Sequence, residues 1–217
     1  MYAGIHATRS NSITLYQHSL TCFNILNYNA KHSTLSIQID AKLSTSSTTK
    51  GSTKRILRLY RDMRTNPIEG CRVYMDPDNM HNWKILLSDL PGVYSGGIWL
   101  LTVDFKSDFP FTAPVIRFVT PIYHCNISRD GLICMDELKD SWSPANTMAS
   151  IVRSIRELLI TPNIDNPLDT FKASSYRDYI VQGIPAYVND ATAFTKANAG
   201  DSLAAMCELY NLVDPED

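Results

Sequence analysis

From Thr53 onward apolar residues recur at helical spacing. Ile56, Leu59, Tyr60 and Met63 fall at i, i+3, i+4 and i+7, with Lys54, Arg55, Arg58, Arg61 and Arg64 on the other faces. Asn66-Pro67 predicts the end of this helix, because a residue preceding proline is pushed out of helical backbone. The period then shortens. Residues 71–75, 82–88, 97–105 and 115–119 are short apolar-rich runs, and the links between them, such as the Leu90-Pro91-Gly92 turn, are too brief for parallel crossovers, so a four-stranded antiparallel meander is predicted. A helical stripe returns at Met148, Ile151, Val152, Ile155, Leu158 and Leu159, with Thr147 as its N-cap and Pro162 beyond its end. Further helices are predicted at about 168–179 and 185–197, separated by Gly183 and Pro185. After Gly200, Asp201 is placed to cap a short helix carrying Leu203, Met206 and Tyr210. N-terminal helix, four strands, loop and C-terminal helices together predict an α+β fold in which the helix at 148–159 covers one face of the sheet.

Composition changes this picture mainly at the ends. With 217 residues and 44% apolar content, the chain suits one domain of about 150 residues with extensions. No acidic residue precedes Asp40, but the only Arg in that stretch is Arg9, so a tail is expected there rather than a transit peptide. Residues 42–53, KLSTSSTTKGST, read as a low-complexity linker. The expected division is a disordered extension over 1–51, a core domain over 52–199 and a short extension over 200–217 with a loose acidic end. A net charge of -2 argues against nucleic acid as the main partner. No apolar run reaches the roughly 20 residues that span a bilayer. Five cysteines, odd in number and irregularly spaced, point to a reducing compartment, cytoplasmic or nuclear, rather than to a disulfide framework.

The candidate chemistry lies in PIYHCNISRDGLICMDELKDSWSPA, residues 121–145, an irregular stretch that brings His124, Cys125, Asn126 and Cys134 together around a Ser128-Arg129-Asp130-Gly131 turn signal. Four readings compete. Cys134, between Ile133 and Met135, can be a small core hydrophobe. Zinc needs a fourth ligand beyond His124, Cys125 and Cys134, and the paired spacing of structural zinc is missing, so no metal is expected. A cysteine hydrolase needs a histidine base, and His81 is the only other histidine in the domain.

The fourth reading rests on ordered landmarks: Tyr94-Ser95-Gly96-Gly97, Phe109-Pro110-Phe111, Tyr123-His124-Cys125-Asn126, Cys134 eight residues after that Asn, Trp142-Ser143-Pro144-Ala145 and Asn166-Pro167-Leu168. In these the chain resembles the ubiquitin-conjugating enzymes, over about residues 54–197. Cys125, where most of that family has Pro, the Ser-rich extension and Leu138-Lys139-Asp140 before the Trp resemble its N-terminally extended subgroup. The resemblance implies the family's fold (UBC-like) and its activity, an acyl transfer with no cofactor. Cys134 would accept ubiquitin as a thioester, charged with ATP by the activating enzyme, for transfer to lysine on a protein substrate or to a ligase. Asn126 would stabilise the oxyanion or the loop that holds it, and His124 would pin the loop rather than act as a base. Asn166 stands where the family often has an Asp that gates the site, and Asp136 or Asp165 would have to supply the missing charge. Lys54 and Arg55 would meet the activating enzyme. Phe111, Ser143, Pro144 and Ala145, with Arg55, would meet RING- or HECT-type ligases. Arg72 replaces the small residue that lets a second ubiquitin dock on the outer sheet face in many relatives, so weak docking there is expected. A carrier of another ubiquitin-like modifier, or a non-catalytic binding module of the same fold, are the alternatives.

Overall fold

The computed structural model describes residues 47–213. The first helix, α1, spans Ser47–Thr65 and so begins inside the Ser/Thr-rich stretch read as a linker. Ser52 and Thr53 are buried, so the docked face of the helix runs past the apolar stripe, and tertiary contact extends a helix that propensity alone would not. The expected disorder of residues 1–46 and the loose end at 214–217 lie outside the described residues.

Four strands follow, β1 (Cys71–Met75), β2 (Asn82–Leu87), β3 (Trp99–Asp104) and β4 (Val115–Phe118). They pair antiparallel in the order β1-β2-β3-β4, the meander read from the short connections. One row of the register runs Val73, Ile85, Leu101, Phe118. Side chains alternate across a sheet, so this row shares the inner face with Trp83, Leu87, Trp99, Val103 and Ile116, all buried in one cluster. Ile56, Leu59, Tyr60 and Met63 of α1 join that cluster, as do Met148, Ile151, Val152, Ile155 and Leu159 of α2 (Met148–Ile160). Thr147 caps α2 through a reciprocal pair with Ser150, as its placement predicted.

The C-terminal helices depart from expectation in small ways. Helix α3 (Thr170–Gln182) starts two residues late because Asp169 accepts a hydrogen bond from the Lys172 amide and caps it, and it ends at Gly183 in left-handed backbone. Helix α4 (Ala186–Asn198) follows Pro185. The last helix, α5 (Leu203–Leu209), is capped by the Ser202 hydroxyl, not by Asp201.

Helix α5 also has a job that periodicity did not reveal. Gly200 makes a two-bond bridge with Ile98, and the chain then crosses the outer face of the sheet, where Met206 and Leu212 bury Tyr74, Leu86, Ile98 and Leu100. A Cβ on Gly200 would come within 2.4 Å of the Met206 sulfur, so any larger residue there would have to displace the Met206 side chain. Lys84 Nζ donates to the Tyr210 carbonyl at 3.1 Å. Arg72 is exposed on the outer face, cross-strand from the covered Leu86. The apolar part of that face is therefore closed by the chain's own C-terminal segment, and Arg72 is not its only guard.

Candidate active site

The site is assembled by three consecutive residues, each tied to a different segment. His124 is 0% exposed. Its Nδ1 accepts the Asn126 backbone N–H at 3.0 Å, which fixes the proton on Nε2, and Nε2–H donates to the Leu158 carbonyl of α2 at 2.9 Å. Burial lowers its pKa to about 4, so the ring is neutral. With both nitrogens committed, His124 has no lone pair for a metal and none for a substrate proton. That weakens the zinc and hydrolase readings alike and agrees with a pinning role.

Cys125 holds the next segment with its backbone. Its carbonyl accepts the N–H groups of Leu168 and Asp169 at 2.8 and 3.0 Å, which fastens the chain just past Asn166-Pro167. Its side chain is fully buried, with Sγ–H 3.5 Å from Asn126 Oδ1, and burial pushes the thiol up to about 11. A thiol so placed is inert packing.

Asn126 closes the arrangement. Its Nδ2 donates to the carbonyls of Asn163 (2.7 Å) and Asn166 (3.3 Å), and its Oδ1 accepts the Asn163 N–H at 2.9 Å. Both amide hydrogens are thus engaged by the 163–166 turn, where Asn163 Oδ1 in turn accepts the N–H groups of Asp165 and Asn166. Of the two roles considered for Asn126, this geometry matches that of holding the loop. The Asn126 carbonyl also accepts the Cys134 N–H at 2.9 Å, which sets the register between the loop and the cysteine. Gly131, at φ +80°, makes the intervening turn, and a Cβ there would meet the Phe118 carbonyl at 1.9 Å.

Cys134 itself is 8% exposed. It lines a cavity of about 290 Å³ with Asp136, Glu157, Asn163 and Asn166. Sequence reasoning brought Asp136 and Asn166 here but not Glu157, which comes in from α2 one residue before the Leu158 carbonyl that His124 binds. Asp165, the other carboxylate considered, is not among the lining residues. Lys139, read from the sequence only as part of the Leu138-Lys139-Asp140 landmark, also belongs here: its Nζ donates to Cys134 Sγ at 3.0 Å.

On the loop before β4, Phe111 is 81% exposed, which rules out core packing. Its loop is tied to the 142–145 loop, since Trp142 Nε1 donates to the Pro110 carbonyl at 2.9 Å and the Trp142 ring lies 6.1 Å from that of Phe109. Pro144 and Ala145 are exposed and Ser143 half-buried. Lys54 faces solvent. Arg55 does something more specific: its Nη2 donates to the carbonyls of Pro144 (3.0 Å) and Asn146 (3.2 Å), so it braces the second loop from α1.

The site is thus a thiol on a cavity wall beside a buried, hydrogen-bonded polar loop. The family model of ubiquitin-conjugating enzymes matches residues 55–182, and the chain belongs to this family.

Proposed function

We propose that Cys134 accepts ubiquitin from the activating enzyme as a thioester and passes it to a lysine amine or to a ligase cysteine. The observation that carries this reading is the position of Cys134: its amide is bonded to the Asn126 carbonyl while its side chain lines the cavity shared with Asp136, Glu157 and Asn166. A thiolate is a good leaving group, so an amine attacks such a thioester directly. An incoming lysine must shed a proton and benefits from negative charge. The amide of Asn166 can accept a hydrogen bond from it but carries no charge, so Asp136 and Glu157 supply the charge. His124 and Asn126 act by position. The exposed Phe111 and the 143–145 loop, braced by Arg55, suit ligase recognition, and the basic outer side of α1 with Lys54 suits the activating enzyme.

The test is charging with activating enzyme, ATP and ubiquitin, read on gels with and without thiol. A thiol-labile adduct is expected. Cys134→Ser should hold ubiquitin as a thiol-resistant oxyester, while Cys125→Ser should still form the labile adduct. Labile adduct that follows Cys125 instead would overturn the assignment. Charging by a different modifier and its activating enzyme alone would point to another ubiquitin-like protein, and no charging by any would point to a binding module.

A further inference from the structure

Cys134 lines one cavity and is touched by a residue of a second, and the two differ in charge. Asp136, Glu137 and Glu157 line the first, of about 290 Å³, which suits an incoming amine. The second, of about 410 Å³, shares no lining residue with it. Among the described residues it is lined by two cations, Lys106 and Lys139, and by no carboxylate, with Leu132, Leu138, Trp142 and the exposed Phe111 as apolar walls.

The backbone places both cations. After Cys134 the chain makes one turn of 3-10 helix, Asp136–Leu138, and reverses. The Lys139 and Ser141 amides both donate to the Asp136 carbonyl, at 2.9 and 3.0 Å, and Leu138 packs against the core. This turn returns Lys139 to the cysteine five residues earlier and sets Nζ 3.0 Å from Sγ. Lys106 follows Phe105, whose buried ring packs edge-on against Trp83 and Phe109, so the start of its loop is anchored in the core while its own side chain stays exposed.

We propose that Lys106 and Lys139 form a receptor for a carboxylate beside the acceptor lysine, so that this chain favours protein substrates with an acidic residue close to the lysine they offer. The inference rests on the thioester reading above. A carboxylate bound to Nζ of Lys139 at about 2.8 Å lies within about 6 Å of the sulfur, given the 3.0 Å contact. An extended segment advances about 3.3 Å per residue, so the acidic residue stands within about two positions of the lysine that reaches the thioester. The apolar walls exclude water from part of the segment, which strengthens a charge pair relative to one on open surface.

Charging opens this receptor. In the uncharged protein Lys139 is occupied by the sulfur, and that hydrogen bond raises its pKa above the ordinary lysine value, so it is an ammonium at neutral pH. Acylation removes the negative charge that a thiolate carries, and the ammonium loses its partner. Asp136 and Asp140 also act on Lys139 by charge, and Glu137 lies on the same turn. These carboxylates are the same before and after charging, so the sulfur is what changes. The charged chain therefore holds an acidic substrate better than the uncharged one, and transfer of ubiquitin, by returning the thiol, loosens the product.

The experiment uses the full chain and three peptides, each with a single lysine and with Glu, Gln or Arg placed two residues before and two residues after it. The chain is loaded with ubiquitin, ATP is removed, and single-turnover discharge is followed over a range of peptide concentrations, normalised to the amount charged and with the loss seen without peptide subtracted. The expected order is Glu, then Gln, then Arg. Glu should exceed Gln by about three- to tenfold, carried by the half-saturating concentration rather than the maximal rate, and the preference should fade in about 0.5 M salt. It should shrink in Lys106→Ala and in Lys139→Ala and persist in Lys106→Arg and Lys139→Arg; the peptide comparison on the unaltered chain does not depend on any variant folding. Equal discharge to the Glu and Gln peptides, or a preference that survives in the double alanine variant, would overturn the proposal while leaving the carrier reading intact. Should no labile adduct form, the carrier reading fails by itself, and binding then tests the receptor alone. Fluorescence anisotropy of labelled Glu and Gln peptides should favour Glu on Cys134→Ala, where Lys139 has lost the sulfur, and should show weaker Glu binding to the native chain. Equal binding of the two peptides to Cys134→Ala would overturn the receptor.

Discussion

His124 to Asn126 approach Cys134 on one side and Asp136 to Lys139 leave it on the other, and the two stretches are built in opposite ways. The first is wholly buried and its polar groups are spent on the protein: a neutral ring, a packed thiol and a carboxamide with both amide hydrogens engaged. The second holds its shape by turn bonds and leaves Asp136 and Lys139 exposed. Rigidity and reactivity are thus separated along the chain. The residues most deeply hydrogen-bonded are closed to solvent, and the acidic and basic side chains that follow the cysteine are open to it.

If this division is real, removing one anchor should cost far more stability than removing an exposed charge. Asn126→Ala strips two donated and two accepted hydrogen bonds. Each buried group left unpaired costs about 1–3 kcal/mol. The expected loss is about 3 kcal/mol or more in urea unfolding, against less than about 0.5 kcal/mol for Lys139→Ala, an exposed site. Similar losses in both would break the comparison.

The next largest effect is a pH dependence confined to the closed stretch. His124 titrates at about 4 in the folded protein, against about 6.5 when unfolded. Between those values the unfolded chain binds the extra proton, so stability falls as pH drops. The loss begins near pH 6.5, reaches about 3 kcal/mol near pH 4 and levels off below, while above pH 6.5 this residue contributes no slope. Urea midpoints from pH 7 to 4.5 should therefore fall more steeply in the native chain than in His124→Gln. Lys139 has the opposite sign. Its raised pKa stabilises below the unfolded value and the benefit disappears at strongly basic pH, but on an exposed side chain the effect is small.

Much of this arrangement was legible in the chain. Strand β1 matches its predicted bounds, the other strands lose one or two residues at their ends, and the α2 stripe and Thr147 cap stand as read. Those features are local, set by period and capping. Three were not legible because each depends on where distant segments meet. Glu157 enters the cavity only because His124 draws in the end of α2. Lys139 reaches Cys134 only because a 3-10 turn reverses the chain, and five residues of spacing alone would not show that. The outer sheet face did leave a trace: Leu86-Leu87 and Trp99-Leu100-Leu101 are apolar on both faces, a pattern that signals cover on each side, but the covering residues, Met206 and Leu212, lie more than a hundred positions away. The helical start at Ser47 belongs with these, since burial of Ser52 and Thr53 overrides a composition that reads as linker.

The smallest expected effect concerns the cavity where the two stretches meet. Asn166 is exposed, and its tie to Asn126 is through its backbone carbonyl, so a change of side chain alone leaves the anchor in place. Asn166→Asp would add a carboxylate beside Asp136 and Glu157. A full general base contributes about 10²–10⁴-fold. With two carboxylates already lining the cavity, the gain in discharge to free lysine should be only about two- to tenfold. It should be largest at pH 7 and shrink toward pH 9, where more of the free amine is already neutral. The readout is single-turnover discharge normalised to the amount charged. Equal rates across that range would assign the work to the existing carboxylates, and Glu157→Gln would then slow discharge in the native Asn166 background. A gain well above tenfold would show instead that Asp136 and Glu157 do not reach the incoming amine.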